Sequence, residues 1–450
     1  MRRLRADDPA TPPPPWLWLL VLSYLPMLPG DAVWWRDQVT ELWADGAYST
    51  ARIGPAALAA LRATTVSQAM PTLVLLSGIA AVALPRLRGR YTEWRYALVS
   101  PPPGSPAEDT LRALHRALAP HAPPVTFTVS MAGRAPSIRV YPRGRRERRV
   151  ALSLGFLALW RRSPERARAL LAHEAAHLAR GEHLIAGLGS PFAGAVAAWP
   201  VVFLVCGAAP VGWLLLVHAP TAPEMLGQVV VVVMKLPQTL LLPVLALWCA
   251  ELAADRYALA VAGGRGMAEA LHASRESGVS RVWGRAHHPP RRLRLWCLAR
   301  ARRPVVPLLL WTAGPVALLL HAVVLTAGGV LGLLALGDPP GAALATALAL
   351  AHRGLLTPPV WAALTVLPLA WPLLAGVWGR LWGAPRAASP PAAAGSAPFR
   401  ETSRARRLPL PLTAALLPLA VLAVALLPPS GALARDPVLG HGTAAAAAAR

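Results

Sequence analysis

Lysine is almost missing from this chain of 450 residues: Lys235 is the only one among 45 basic side chains. Acidic residues are scarce as well, 21 in all, which leaves a net charge of +24. Cysteine is limited to Cys206, Cys249 and Cys297, scattered and without a CxxC pair. That excludes a disulfide framework and a cysteine-built zinc site. The basic excess would suit nucleic acid, but no nucleic-acid module is recognisable. The arginines instead fall beside apolar runs, at 86–90, 143–149, 281–303 and 380–407. This is the signature of the positive-inside rule, and no nucleic-acid partner is expected. Arginine used nearly to the exclusion of lysine, with abundant alanine, proline and glycine, marks a GC-rich and therefore bacterial coding sequence.

What is plentiful is apolar surface. Hydrophobic residues make up 55% of the chain and the mean hydropathy is +0.44. Soluble chains lie nearer about 45–50% apolar, so an integral membrane protein is expected. Runs long enough to span a bilayer, about 20 residues, occur near 14–30, 66–85, 192–217, 226–250, 305–336, 356–378 and 408–428. The first follows Arg2, Arg3 and Arg5; with no small-residue cleavage site after it, it reads as a retained anchor rather than a signal peptide. The run 341–352 is too short to span and reads as interfacial or re-entrant. Trp16, Trp18, Trp199, Trp213, Trp248, Trp311, Trp378 and Trp382 lie near run ends, as an interfacial belt would. Arginine bias places the N-terminus, 86–190, 251–304 and 379–407 on the cytoplasmic side of the plasma membrane. The segment 31–65, with Asp31, Asp37, Glu41 and Asp45, belongs outside. The tail "GTAAAAAAR" is expected outside and disordered. Three regions follow: an N-terminal anchor of two spans (1–85), a polar region (86–304) with a membrane hairpin inserted near 192–250, and a C-terminal membrane region with its tail (305–450).

Between the second and third spans the chain turns polar for about a hundred residues. After the linker-like "VSPPPGSPAED", the pattern predicts a helix over Asp109–Leu118, strands at Val125–Ser130 and Ser137–Tyr141, and a further apolar run at Arg149–Leu157. "PRGRRERR" reads as the turn between the last two. Ser163, Pro164 and Glu165 form a favourable helix start. That helix should run to Gly181, a residue suited to end it.

This helix carries "LAHEAAHLARGEH". His173 and His177, four residues apart, share a helical face and can bind one metal from the same side. Glu174 sits beside the first ligand, where a general base is needed. A catalytic zinc site ordinarily takes three protein ligands. Two candidates exist for the third. His183 would complete HExxHxxRxxH, but a chain that folds back on itself needs glycine where Arg180 stands. Glu251 lies in "CAELAADRYAL", with Asp255 one turn further on the same face. Two expected spans separate His177 from Glu251, so the chain returns to the same membrane surface. Glu251 is the favoured ligand, with Asp255 behind it to orient a ligand.

"HEAAH" at 173–177, "ELAAD" at 251–255 and "HPPRRLR" at 288–294 resemble, in order, the integral-membrane zinc metallopeptidases typified by the heat-shock protease HtpX and the CAAX prenyl proteases. The resemblance covers about residues 95 to 300. It implies a multi-pass α-helical membrane protein with a zincin-like α+β metallopeptidase domain at the cytoplasmic face. It implies that His173, His177 and Glu251 bind Zn2+ and that Glu174 is general base and proton shuttle. It implies further that His288 stabilises the oxyanion and that Arg294 pairs with Asp255. Glu182 stands where the family commonly has aspartate. The strand near Ile138–Tyr141 resembles the edge that pairs with substrate, but departs from the family's Asn-Ala segment.

The expected activity is zinc-dependent cleavage of membrane or juxtamembrane polypeptides, with a role in membrane protein quality control. A sensor-transducer family typified by BlaR, whose proteolysis inactivates a regulator, is the nearest alternative. The 22 residues after position 428 are too few for the extracellular ligand domain of its antibiotic-sensing members. A non-enzymatic transporter or scaffold would be supported by Lys235 and Gln238 within a span, although Lys235 can equally snorkel to the interface.

Overall fold

The computed structural model describes residues 13–25, 28–40, 55–101, 104–118, 124–131, 135–217, 240–273, 287–301, 303, 305–335, 339–355 and 367–382. Among these, the chain is mostly helical with one small mixed sheet. In chain order the elements begin with α1 (Trp16–Tyr24), α2 (Leu28–Val39), α3 (Pro55–Ala83), α4 (Pro85–Arg95) and β1 (Leu98–Val99). There follow α5 (Pro106–Leu118), β2 (Thr126–Ser130), β3 (Ile138–Pro142), β4 (Arg148–Ser153), α6 (Leu154–Arg162), α7 (Pro164–Ala179) and α8 (His183–Ala186). Next come α9 (Pro191–Val202), a π-helical stretch (Phe203–Ala208) and α10 (Ala209–Leu216). The last are α11 (Leu242–Ala262), α12 (Gly264–Ala273), α13 (Arg291–Ala299), α14 (Val305–Ala335), α15 (Pro340–Leu355) and α16 (Leu367–Leu381).

Among the described residues, two helices are long and apolar enough to cross a membrane, Pro191–Leu214 and Val305–Leu334. Thr72–Ala83 joins Pro85–Arg95 through a bend of 94°. The expected first span over 14–30 is instead α1, nine residues long. At 1.5 Å per residue that is about 14 Å, half a bilayer core. The next helix, α2, carries Asp31, Arg36 and Asp37 and is part of what was expected as an outer loop. The expected spans 226–250 and 356–378 lie only partly within the described residues; 408–428, Lys235 and Gln238 lie outside them. The short run at 341–352 is α15, in keeping with its length.

The sheet order is β1-β2-β4-β3: β1 and β2 are antiparallel, β2 and β4 parallel, β3 and β4 antiparallel. The last apolar run, 149–157, divides into strand β4 and helix α6 at Ser153, whose hydroxyl accepts from the Phe156 amide. Ser163, by contrast, makes no side-chain cap on α7; it also closes α6. Helix α7 buries Ala167, Leu171, Ala175 and Leu178 against Phe127, Val129, Val140, Val150 and Leu152 of the sheet. These positions recur at three and four residues, one helical face. On its other side Ala169 and Ala172 pack with Ala258, Met267 and Leu271. Small alanines let the helices approach closely. The two histidines therefore emerge on the side of α7 that meets α11.

Candidate metal centre

The neighbouring helices α7 and α11 each present an i, i+4 pair of polar side chains: His173 and His177 on the first, Glu251 and Asp255 on the second. All four are largely removed from solvent, although α11 begins as an apolar run. The His173 and His177 Nε2 atoms are 3.3 Å apart. Glu251 Oε2 lies 3.5 Å from the first and Oε1 3.5 Å from the second. Together these three residues form a cluster able to hold a metal ion; His183 is not part of it. A four-coordinate ion with bonds of about 2.0–2.1 Å sets its ligands roughly 3.3–3.4 Å apart. The observed triangle has that size.

Each histidine is backed by a carboxylate, and each carboxylate by an arginine. His177 Nδ1 hydrogen-bonds Glu182 Oε2 at 2.7 Å. Arg180 grips Glu182 through Nε and Nη2, both at 2.9 Å, and also donates to the Ala250 carbonyl at 2.9 Å. His173 Nδ1 lies 2.9 Å from Asp255 Oδ1. Arg294, from α13, clasps Asp255 at 2.7 and 2.5 Å. Such outer partners fix the tautomer and aim the remaining ring nitrogen at a metal. His288 Nδ1 stands 2.8 Å from Glu251 Oε2. The His288 side chain is 32% exposed, against 14% or less for the other members. Glu174 is also buried, and its Oε2 accepts from the backbone N–H of Val140 on the edge strand β3.

No protein-family model, curated protein or solved structure matches the chain. The chemistry of the cluster must therefore be read from its own charges. Four carboxylates (Glu174, Glu182, Glu251, Asp255) face two guanidiniums (Arg180, Arg294), a formal surplus of two negative charges. Burial alone would depress the His177 imidazole, yet the Glu182 and Glu251 carboxylates hold it up at about 10. His173 is raised in the same way, against burial, by Asp255 and Glu251. Burial would raise the Asp255 and Glu182 carboxyls, but Arg294 and Arg180 respectively keep both below their ordinary values. For His288 the Glu251 carboxylate favours the proton, while burial and the charges of Arg139 and Arg294 outweigh it and lower the group. The same carboxylates that raise both histidines would favour a divalent cation between them. The donor set fits a metal.

The structure thus brings together His173, His177 and Glu251, sets Asp255 and Arg294 behind them, and puts His288 at the open side. Glu174 reaches the edge strand. Glu182 stands at the family's aspartate position with no role assigned from the sequence, and Arg180 is not foreseen as a contributor at all. Glu182 approaches His177 in spite of its longer side chain, and Arg180 holds it. In sequence Arg180 signalled only a missing glycine; nothing about its spacing showed that it would fold back onto Glu182. The turn that permits this is Gly181, with φ +72°, left-handed backbone suited to glycine. A Cβ there would lie 2.4 Å from the Trp382 ring. Trp382 stacks at 5.1 Å on Trp18, its carbonyl accepts from Arg148, and Trp378 Nε1 donates to the Arg180 carbonyl at 3.3 Å. His183, beyond the turn, is buried beside the Trp382 ring, and burial with the nearby Arg148 and Arg88 cations drives it down to about 3. It is a neutral packing histidine.

Proposed function

We propose that the chain is a membrane-bound zinc metalloendopeptidase that cleaves membrane or juxtamembrane polypeptides at the cytoplasmic surface. The observation that carries this reading is the triangle of His173, His177 and Glu251, each histidine backed by a carboxylate–arginine pair. Two imidazoles and one carboxylate with an open side are the donor set of a catalytic zinc site. The order HExxH, membrane excursion, ExxxD and His-Pro-Arg, which resembles the HtpX-like peptidases, supports the same reading.

Zinc held by these three residues supplies Lewis-acid polarisation of a scissile carbonyl and of the attacking water. The chain's own groups do the rest. Glu182 and Asp255 hold the protons on the two Nδ1 atoms, so that each Nε2 keeps its lone pair for the metal. Glu174 Oε2 is tied to the Val140 N–H, which leaves Oε1 to take the proton from water and return it to the leaving amine. His288, the most exposed member, faces arriving substrate and donates towards the oxygen on which negative charge develops. The outward backbone groups of Val140 on the edge strand β3 are used within the chain, the N–H by Glu174 and the carbonyl by the Leu188 N–H at 2.8 Å.

Glu174→Gln tests the reading. It preserves shape and leaves the three ligands in place. The variant should retain stoichiometric zinc, measured by metal analysis, while cleavage of casein or a membrane substrate falls by about 10²–10⁴-fold. Full cleavage by the variant, or cleavage by wild type that survives chelation, refutes it.

A further inference from the structure

Helix α4 is built inside out. Its protein-facing side buries Arg88, Gly89 and Thr92. Arg88 donates to the carbonyls of Leu184, Gly187 and Leu188, in α8 and the loop after it, which follow the metal-site turn. Its outward side exposes Leu84, Leu87, Tyr91 and Trp94, the last by 77%. The spacing of three, four and three places these four on a single stripe. Arg86 and Arg90 flank the stripe on one side and Arg95 on the other, all exposed. The Tyr91 and Trp94 rings are 6.0 Å apart, and the Arg95 guanidinium lies 5.9 Å from the Tyr96 ring.

Water is the wrong solvent for such a helix. A contiguous apolar patch with a polar rim marks a binding surface. With five charged residues in eleven, α4 cannot span a bilayer. It leaves the apolar Thr72–Ala83 helix at 94°, so a membrane crossed by that helix runs roughly parallel to α4. Tryptophan and tyrosine favour the headgroup level, and arginines in that layer favour anionic lipid. We propose that α4 is an interfacial helix that lies on the cytoplasmic leaflet, with Leu84, Leu87, Tyr91 and Trp94 inserted and Arg86, Arg90 and Arg95 engaging anionic lipid headgroups. Through Arg88 the same helix holds the 184–188 segment, so it fixes the height of the metal site above the membrane. The proposal does not depend on the chemistry at that site.

The test uses the full chain in nanodiscs of phosphatidylcholine alone or mixed with phosphatidylglycerol. Insertion is read as the quenching by brominated acyl chains that is lost in Trp94→Phe. Headgroup preference is read from the affinity for spin-labelled phosphatidylglycerol at this face. Trp94 should contribute quenching, and the lipid affinity should fall about fivefold for each of Arg86→Gln, Arg90→Gln and Arg95→Gln. Both substitution sets lie on the exposed side and leave the fold intact. Equal quenching in wild type and Trp94→Phe, whether because water, a second copy or another protein covers the stripe, overturns the proposal. So does a phosphatidylglycerol affinity unchanged by removal of the three arginines.

Discussion

Arg180 should matter to metal binding although it cannot touch the metal. Its guanidinium makes two contacts to Glu182 and one to the Ala250 carbonyl, all at 2.9 Å. It therefore ties the second histidine to the helix that presents Glu251. Arg180→Gln keeps much of the volume but removes the charge and the fork. Breaking a buried ion pair from one side costs about 3–5 kcal/mol. Loss of an outer partner of a metal-bound histidine lowers metal affinity about 10–100-fold, which is about 1.4–2.7 kcal/mol. The remaining cost, roughly 0.3–3.6 kcal/mol by difference, should fall on the stability of the fold. Competition with a chelator measures the first part, thermal unfolding of the chelated protein the second. The visible spectrum of the cobalt-substituted protein should shift as His177 loses its fixed orientation. Arg180→Lys restores a charge but not a two-pronged grip, so it should fall between wild type and Arg180→Gln. A folded Arg180→Gln protein within about twofold of wild-type affinity would refute the reasoning, since outer partners are expected to contribute at least tenfold.

Three further outcomes can be checked directly. Glu251→Ala should lose bound zinc, whereas His183→Ala should keep it and lose only packing; metal analysis of the reverse pattern would reassign the third ligand. Gly181→Ala should destabilise by about 2–4 kcal/mol, combining left-handed backbone strain with the overlap on Trp382. The added change Trp382→Ala should remove the steric part in a thermal double-mutant cycle. In chelated protein the His177 pKa is raised from 6.5 to about 10 by carboxylates. The stability this contributes is full below pH 6.5 and is lost as pH rises towards about 10. Chelated protein should therefore melt progressively lower across that window, and metal-loaded protein should not.

The site's convergence was legible because two local periodicities encode it. HExxH and ExxxD each place a polar pair on one helical face, and the two apolar runs expected between them predict that both faces return to one surface. Strands β2 and β3 and helix α7 were legible for a similar reason, since a half-buried sheet and its covering helix leave an alternating or three-and-four pattern. Glu182 and Arg180 were not. Their roles follow from a left-handed residue at Gly181 that reverses the chain, and no spacing rule reports where a reversed chain points. The first span is not shown: the described residues give a helix of nine residues. Trp16, Leu17, Trp18 and Val21 are apolar because they pack against Leu184, Ile185 and Leu310 in the interior, a demand that resembles immersion in lipid. The inside-out character of α4 was hidden by its arginines, of which only Arg88 points inward.

The tryptophan contacts behind Gly181 also impose an order on synthesis. Arg180 and the turn are seated against Trp378 and Trp382, and Trp382 in turn rests on Trp18. His173 is translated 209 residues before Trp382 (382 − 173). At about 5–20 residues per second, that is roughly ten to forty seconds during which the histidines exist without their support. The turn cannot reach its packed form until Trp378 and Trp382 have been made. A chain cut short between Arg294 and Trp378 would carry every ligand and yet lack the wall that holds their turn in place.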